Sequence, residues 1–264
     1  MAIALYNTST HQRVTIMDKM LYVAMTGAKE NFNAIAIRGN NLANASTTGF
    51  KADLEQARSM NAYGEGFQTR VFAMTERPGY NLDSGSIMTT DRDLDVAIKG
   101  DGYIAVQDAD GNEAYTRNGS FEIDVNGILR TSNGLAVLDK VGQEIILPIP
   151  LEKVNINKDG VVSGRPEGAD ANIVEEFAQI KLVKLASSVT VKGTDGLFRA
   201  ANGNIAEPDL DVELMSGSLE SSNVNVVEEM TGLIRLQRQF DMQLKMMETA
   251  KDIDESQTSL LRLS

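Results

Sequence analysis

The residues best suited to catalysis are almost missing from this chain of 264 residues. It has one histidine, His11, and no cysteine. A single histidine excludes multi-histidine metal sites, and without cysteine there is no thiolate ligand, thiol nucleophile or disulfide framework. What remains is 37 Asp and Glu side chains. The separation of two carboxylates in space decides what acid–base chemistry they perform, so sequence alone selects no pair. Two acidic runs have the opening spacing of a calcium loop, Asp91-Arg92-Asp93-Leu94-Asp95 and Asp108-Ala109-Asp110-Gly111-Asn112. Such a loop needs glycine at its sixth position and glutamate at its twelfth. Here Val96 and Glu113 stand sixth, and Gly102 and Gly119 twelfth, so both runs read as solvated turns. Gly100-Asp101-Gly102-Tyr103-Ile104-Ala105 loosely matches a dinucleotide fingerprint, but that motif must open a helix whose N-terminus meets the pyrophosphate. The residues that follow read as a strand, so this too is a turn. No nucleophile elbow and no phosphate loop followed by Lys-Ser/Thr is present. The expectation is a protein that is not an enzyme, with no cofactor, no metal and no small-molecule substrate.

Composition narrows the partners. Lys and Arg total 25 against 37 acidic residues, a net charge of -12. Such a surface repels phosphate backbones, which argues against nucleic acid. Tryptophan is absent and aromatic residues make up 5%, so platforms for stacking bases are few. Hydrophobic residues at 42% and charged residues at 23% are ordinary for a globular chain. At this length one large domain or two small ones can form a core without staples. There is no run of about eighteen apolar residues to cross a membrane. The start, Met1 to Tyr6, lacks a basic segment leading into an apolar core, so no cleaved secretory signal is expected.

The elements that would position any site change period along the chain. Leu21, Met25, Ala28, Phe32, Ile35, Gly39 and Leu42 alternate steps of four and three, one apolar stripe along a helix. Thr15 and Asp18 suggest a cap at its start, which places the helix from Asp18 to Asn44, with Gly49 as a break. Near the other end, Asn225 with Glu228 reads as an N-cap pair. Val226, Met230, Leu233, Gln237, Phe240, Leu244 and Met247 then repeat the same spacing. Ala250, Ile253, Gln257, Leu260 and Leu261 continue it in a shifted register towards Leu263. Neither stretch contains proline.

Between the helices the period falls to two. Leu94–Ile98, Tyr103–Val106, Phe121–Val125 and Ile180–Leu185 read as strands. Asp101-Gly102, Asp110-Gly111, Asn118-Gly119, Asn126-Gly127, Asn133-Gly134 and Val141-Gly142 punctuate the region as tight turns with positive φ, which suggests a meander. The same pattern extends to Asp159-Gly160, Asp195-Gly196 and Asn202-Gly203. Residues 51–75, with Tyr63-Gly64-Glu65-Gly66, read as a polar connector with some strand character. The fold class is α+β: a β-rich central domain with a long amphipathic helix at each end. The simplest fate of such helices is to pack on the β-domain of their own chain. Their length, their narrow stripes and their polar connectors argue instead that they pair with each other as a coiled coil, or with neighbouring copies.

Three stretches then carry a resemblance. Asn41-Leu42-Ala43-Asn44-Ala45-Ser46-Thr47-Thr48-Gly49-Phe50-Lys51 is similar to the signature of the bacterial flagellar axial family of rod, hook and hook-associated proteins. Tyr115-Thr116-Arg117-Asn118-Gly119-Ser120-Phe121, followed by Gly127-Ile128-Leu129 and Asn133-Gly134, resembles the β-body of that family. Gly217 to Met230 resembles its C-terminal run. The Met17–Ala28 stretch and the ending from Phe240 to Ser264 fit a proximal rod member, with a distal rod protein as runner-up; hook proteins are generally longer. Such members begin near Met17.

The resemblance implies a structural subunit of the proximal rod, a drive shaft carrying motor torque. Its domains would be 1–16 an extension, 17–50 the N-terminal axial helix and signature, 51–75 a connector, 76–215 the β-rich body and 216–264 the C-terminal axial helix. The assembly interface would comprise Leu21, Met25, Ala28, Phe32, Ile35, Asn41, Leu42, Asn44, Gly49, Phe50, Met230, Leu233, Phe240, Leu244 and Met247. The implied partners are other flagellar rod proteins of the inner and distal rod, copies of itself and the flagellar type III export apparatus. The implied location is the basal-body rod in the periplasm, reached without a cleaved signal. The competing reading is a soluble β-rich binding module, which requires a cleft of convergent polar groups.

Overall fold

The computed structural model describes residues 9–54, 57–61, 71–75, 79–168, 174–186 and 190–262. The chain forms two compact units, one of residues 1–43, 53–79 and 225–264 and one of residues 44–52 and 80–224. The signature residues 44–50, expected with the N-terminal helix, are therefore part of the second unit.

The first unit is built on helix α1, Ser9–Ala43, and helix α2, Val226–Arg262. At 35 and 37 residues they extend about 50–55 Å. The expected start of α1 at Asp18 is corrected to Ser9: no glycine or proline interrupts residues 9–17, and Thr15 lies inside the helix. The N-cap of α2 is as read, with Asn225 Oδ1 accepting from the backbone N–H of Val227 at 3.1 Å and Glu228 at 3.3 Å. Glu228 and Glu229 add negative charge to its first turn, where the helix dipole favours it. The connector forms an antiparallel hairpin, Ala57–Asn61 with Val71–Thr75, whose second strand lies along α1. Tyr63-Gly64-Glu65-Gly66 lies outside the described residues.

The second unit is β-rich. Its largest sheet is antiparallel with five strands in the order Leu182–Val183, Tyr103–Gln107, Glu113–Thr116, Phe198–Ala200 and Thr190–Lys192. A three-stranded sheet joins Leu151–Ile156, Val161–Pro166 and Glu175–Gln179, a region in which the alternation had suggested no strand. Short pairs complete the body: Phe121–Ile123 with Leu129–Thr131, Val96–Lys99 with Glu213–Ser216, and Ile87–Thr89 with Ser218–Glu220. The expected meander holds only locally, because strands from the far end of the unit enter the large sheet.

That sheet is buried on both faces. Ile104 and Val106 point into a main core with Phe121, Leu129 and Ile156, while Tyr103 and Ala105 point into a second core with Tyr115 and Phe198. Side chains alternate across a strand, so a run with no polar residue is what a doubly covered strand requires. Two other strands are shorter than expected. Phe121–Val125 ends at Ile123, where Asp124 to Gly127 closes a turn and leaves Val125 in solvent. Of Ile180–Leu185 only Leu182 and Val183 join the ladder.

Two glycines expected at positive φ serve another purpose. Gly102 and Gly119 have no such φ; Gly100 makes the first turn instead. Gly119 is a point of close approach, since a Cβ there would lie 1.9 Å from the carbonyl oxygen of Val96. Gly134, in contrast, has φ +82 and open space around it. We expect Gly119→Ala to cost more than about 3 kcal/mol of stability through backbone displacement. Gly134→Ala should cost only about 1–2 kcal/mol, the strain of a left-handed residue. Urea unfolding followed by circular dichroism measures both; equal losses would show that close packing at Gly119 is unimportant.

Candidate functional site

The expected interface residues fall into two groups, one on each unit. In the helical unit, α1 and α2 run antiparallel: Asn31 meets Gln243, Arg38 meets Glu229, and Asn41 also meets Glu229. The buried line of α1 consists of small and polar residues, Ala28, Asn31, Ala34 and Asn41. The apolar stripe is rotated about one residue away from that line. Ala28 is buried and Ile35 and Leu42 are half-buried, but Met25 is 54% and Phe32 64% exposed. In α2, Leu233, Phe240 and Met247 are half-buried, while Met230 and Leu244 are 51% and 40% exposed. The side chain of Leu21 lies outside the described residues.

The seam of the chain's own helix pair thus runs beside the apolar stripes and not along them. The seam runs through residues that a hydrophobic pattern does not mark, including Asn31, Arg38 and Gln243. Small residues let two helices approach closely, and polar ones there must find partners. Leu236, half-buried on the α2 side, was also missed.

Asn41 ends this seam and is 1% exposed. Its Nδ2 donates to the carbonyl of Asp53 at 2.9 Å and to Glu229 Oε1 at 3.1 Å, and its Oδ1 accepts from the N–H of Asp53 at 2.9 Å. Three satisfied bonds fix the chain as it leaves α1.

In the β-rich unit, Asn44 opens a tight turn, accepting from Thr47 Oγ1 and from the Thr47 N–H, both at 3.1 Å. Gly49 has φ +69, and a Cβ on it would lie 2.4 Å from the carbonyl carbon of Arg117. Both conditions require glycine there. Phe50 is half-buried, with Lys192 Nζ 4.1 Å above its ring.

Lys51 carries the signature into a buried ionic cluster. Its Nζ donates to Glu220 Oε1 and to the carbonyl of Asp83, each at 2.7 Å. Arg117 Nη1 donates to Glu220 Oε2 at 2.6 Å, and Arg117 also donates to the carbonyls of Gly100 and Gly102. Side-chain exposure is 0% for Lys51, 1% for Glu220 and 3% for Arg117. Each comes from one of the three stretches that carry the family resemblance, yet none had been singled out. Burial pushes the Glu220 carboxyl up, but its bonds to Lys51 and the charge of Arg117 outweigh that and hold it below the ordinary value of 4.5. For Lys51, burial outweighs the attraction of Glu220 and lowers its pKa. Glu220 faces two cations, and it shares the response to acid with Asp108 and Asp195, whose carboxyls the bonds from Arg199 also hold below their ordinary value.

An open groove of about 600 Å³ in the same unit includes Glu113, Tyr115, Lys181 and Arg199 in its lining. Its charges are paired internally: Lys181 with Glu113 at 2.8 Å, and Arg199 with Asp108 at 2.8 Å and Asp195 at 2.7 Å. Among the described residues no group of three or more His, Asp or Glu side chains is placed to hold a metal ion, and no helix is long and apolar enough to cross a membrane.

The ionic cluster sets an acid limit. A carboxylate with a lowered folded-state pKa stabilises the fold above its unfolded value, and that stability is lost as pH falls through the folded value. We expect the β-rich unit to lose stability as pH drops below 4.5, and Glu220→Gln to flatten that dependence. At neutral pH, Glu220→Ala leaves two buried cations unpaired and should cost about 3–5 kcal/mol. Urea unfolding across pH tests both, and an unchanged acid slope in Glu220→Gln would remove this role.

Comparison with known proteins agrees with the three stretches. Residues 21–51 match the family described as Flagella basal body rod protein, residues 97–164 the Flagellar hook protein FlgE/F/G D1 domain, and residues 215–260 the Flagellar basal body rod FlgEFG protein C-terminal. The flagellar basal-body rod protein FlgF of Escherichia coli (strain K12) is 39% identical over 254 residues, covering 94% of this chain and 100% of the relative. FlgF of Caulobacter vibrioides is 35% identical over 246 residues, covering 91% and 96%. The rod protein FlgG of Bacillus subtilis (strain 168) is 31% identical over 266 residues, covering 93% and 100%. With FlgF relatives matched along nearly their whole length, the chain belongs to the flagellar basal-body rod protein FlgF family: it is a structural subunit of the rod and not an enzyme.

Proposed function

We propose that the chain occupies the proximal part of the rod, packing through its terminal helices against copies of itself, inner rod subunits and FlgG. In this reading the helices form a coiled-coil layer, the rod lies in the periplasm, and the subunit arrives through the flagellar type III export apparatus without a cleaved signal. The assembled shaft transmits motor torque. The observation that carries the proposal is the apolar surface left on the helix pair: Phe32 at 64%, Met25 at 54% and Met230 at 51% exposure. Burying one such side chain contributes about 1.5–3 kcal/mol, so repeated contacts along a rod would add up to a strong association.

Charge supports the same division of labour. Residues 1–43 and 226–264 carry nine Lys and Arg against nine Asp and Glu, so the net charge of -12 resides in residues 44–225. Neutral helices can stack without long-range repulsion, while an acidic body stays solvated.

Phe240 is half-buried beside the seam, so a charge there disturbs the helix pair itself. Phe32 tests assembly more cleanly. We expect Phe32→Asp to change the stability of the purified chain by no more than about 0.5 kcal/mol, as an exposed substitution does, and to abolish swimming. Normal motility would sink the assembly role of this surface. Cross-linking mass spectrometry of isolated hook–basal bodies should link the chain to inner rod subunits on one side and FlgG on the other. Links only to FlgG or hook neighbours would move it to a distal position.

A further inference from the structure

We infer that α1 and α2 are held in register by a reciprocal lock, in which a glycine on each helix seats a long polar side chain of the other. Gly27 lies against Gln243: a Cβ on that glycine would be 2.8 Å from Gln243 Nε2. Gly232 lies against Arg38: a Cβ there would be 2.6 Å from Arg38 Nη1. Each seated side chain is also tied down within a turn of its glycine. Gln243 Oε1 accepts from Asn31 Nδ2 at 2.9 Å, and Arg38 Nη1 donates to Glu229 Oε2 at 2.9 Å. Gly27 and Arg38 are eleven residues apart, as are Gly232 and Gln243. Eleven residues make about three helical turns, so both members face the same way on each helix.

One sequence offset relates the two halves of the lock. Gly232 and Gln243 each stand 205 positions after Gly27 and Arg38. Antiparallel helices paired in this way have an approximate twofold axis normal to the plane they share. That axis keeps equivalent side chains on one flank. The two apolar stripes have the same offset of 205, pairing Met25 with Met230, Ala28 with Leu233, Ile35 with Phe240, and Leu42 with Met247. The lock therefore brings both stripes onto a single flank, buried or half-buried next to the seam and exposed at Met25, Phe32, Met230 and Leu244.

Apolar contact alone would not choose this register, because sliding by a turn exchanges one small or apolar contact for another. The polar side chains do choose it. A slide would strip Gln243 and Arg38 of their hydrogen-bond partners and make their flexible ends give way to a Cβ. Gly27, Asn31, Arg38, Glu229, Gly232 and Gln243 are thus positioning residues for the flank. This holds for the chain's own helix pair, whether or not another subunit packs on it, so its test is independent of rod assembly.

The chain has no native cysteine, which simplifies the experiment. By the register of the lock, position 34 stands opposite 236 as 27 stands opposite 243. One reporter is the full chain with Ala34→Cys and Leu236→Cys; a second, one turn out, has Ala34→Cys and Phe240→Cys. Each is treated with a short bis-maleimide, and intrachain links are quantified by mass spectrometry. We expect the 34–236 link to form about tenfold faster than the 34–240 link. Gly27→Leu or Gly232→Leu should lower that preference at least about fivefold. Gly39→Leu should leave it unchanged, because nothing lies within 4 Å of a Cβ at Gly39. Gln243→Ala alone should also lower it, because the seated amide and its bond from Asn31 are lost. The proposal is overturned if Gly27→Leu and Gly232→Leu keep the parent preference, if Gln243→Ala keeps it, or if the parent links mainly at 34–240 or between chains.

Discussion

A carboxylate sealed from water stays ionised only where cations or hydrogen-bond donors reach it, and Glu220 is sealed with two cations. Lys51 and Arg117 meet its two oxygens from segments far apart in the chain, and backbone groups complete the set: the N–H of Gly85 on Oε1, the carbonyl of Asp83 on Lys51, and those of Gly100 and Gly102 on Arg117. Removing Glu220 would strand both cations in a medium that solvates them poorly. The surrounding geometry depends on this cluster. Gly49 must approach the backbone of Arg117 closely, and its own N–H donates to the carbonyl of Glu220 at 2.8 Å. The ends of the β-rich unit's own sequence are therefore tied to its centre by charge as well as by the apolar cores.

The helical unit solves a different problem with similar means. Two helices of more than thirty residues each offer several nearly equivalent ways to slide past one another. Asn31, Arg38, Asn41, Glu229 and Gln243 pair along the seam and give polar bonds that only one alignment satisfies. The hydrophobic residues are displaced to the flank, where half of their surface remains available. A rod subunit that packs through its helices, as proposed above, has a use for that arrangement: polar contacts define the helix pair, and apolar ones are left for neighbours.

Charged and polar groups inside the β-rich unit are spent on its own structure. Carboxylates with little exposure are taken up by ion pairs, among them Glu113 with Lys181, Asp108 with Arg199, Asp95 with Arg92, and Glu220 with Lys51 and Arg117. Tyr115, whose pKa burial pushes up to about 12, accepts a hydrogen bond from the N–H of Ala206 at 2.7 Å. These groups hold loops of the β-rich unit together.

Local pattern was enough to read two long terminal helices, the Asn225 cap, the strand at Tyr103 and the turns at Gly111, Gly127 and Gly134, because caps, periods and turn residues act over a few neighbouring positions. The three motif stretches were legible for the same reason, and they led to the rod family. The sequence did not reveal which face of each helix is the seam, since Gly27, Gly232, Asn31 and Gln243 bear no hydrophobic signal and mean something only when the partner helix is opposite. Nor did it show that Gly119 is a contact with Val96 instead of a turn, or that Lys51, Arg117 and Glu220 share one buried site. The sequence by itself determined the two terminal helices, several strands and turns of the β-rich body, and the family; the tertiary structure alone decided the remaining strands, the helix register and the charge pairing, because desolvation and close approach depend on groups that the chain brings together only when folded.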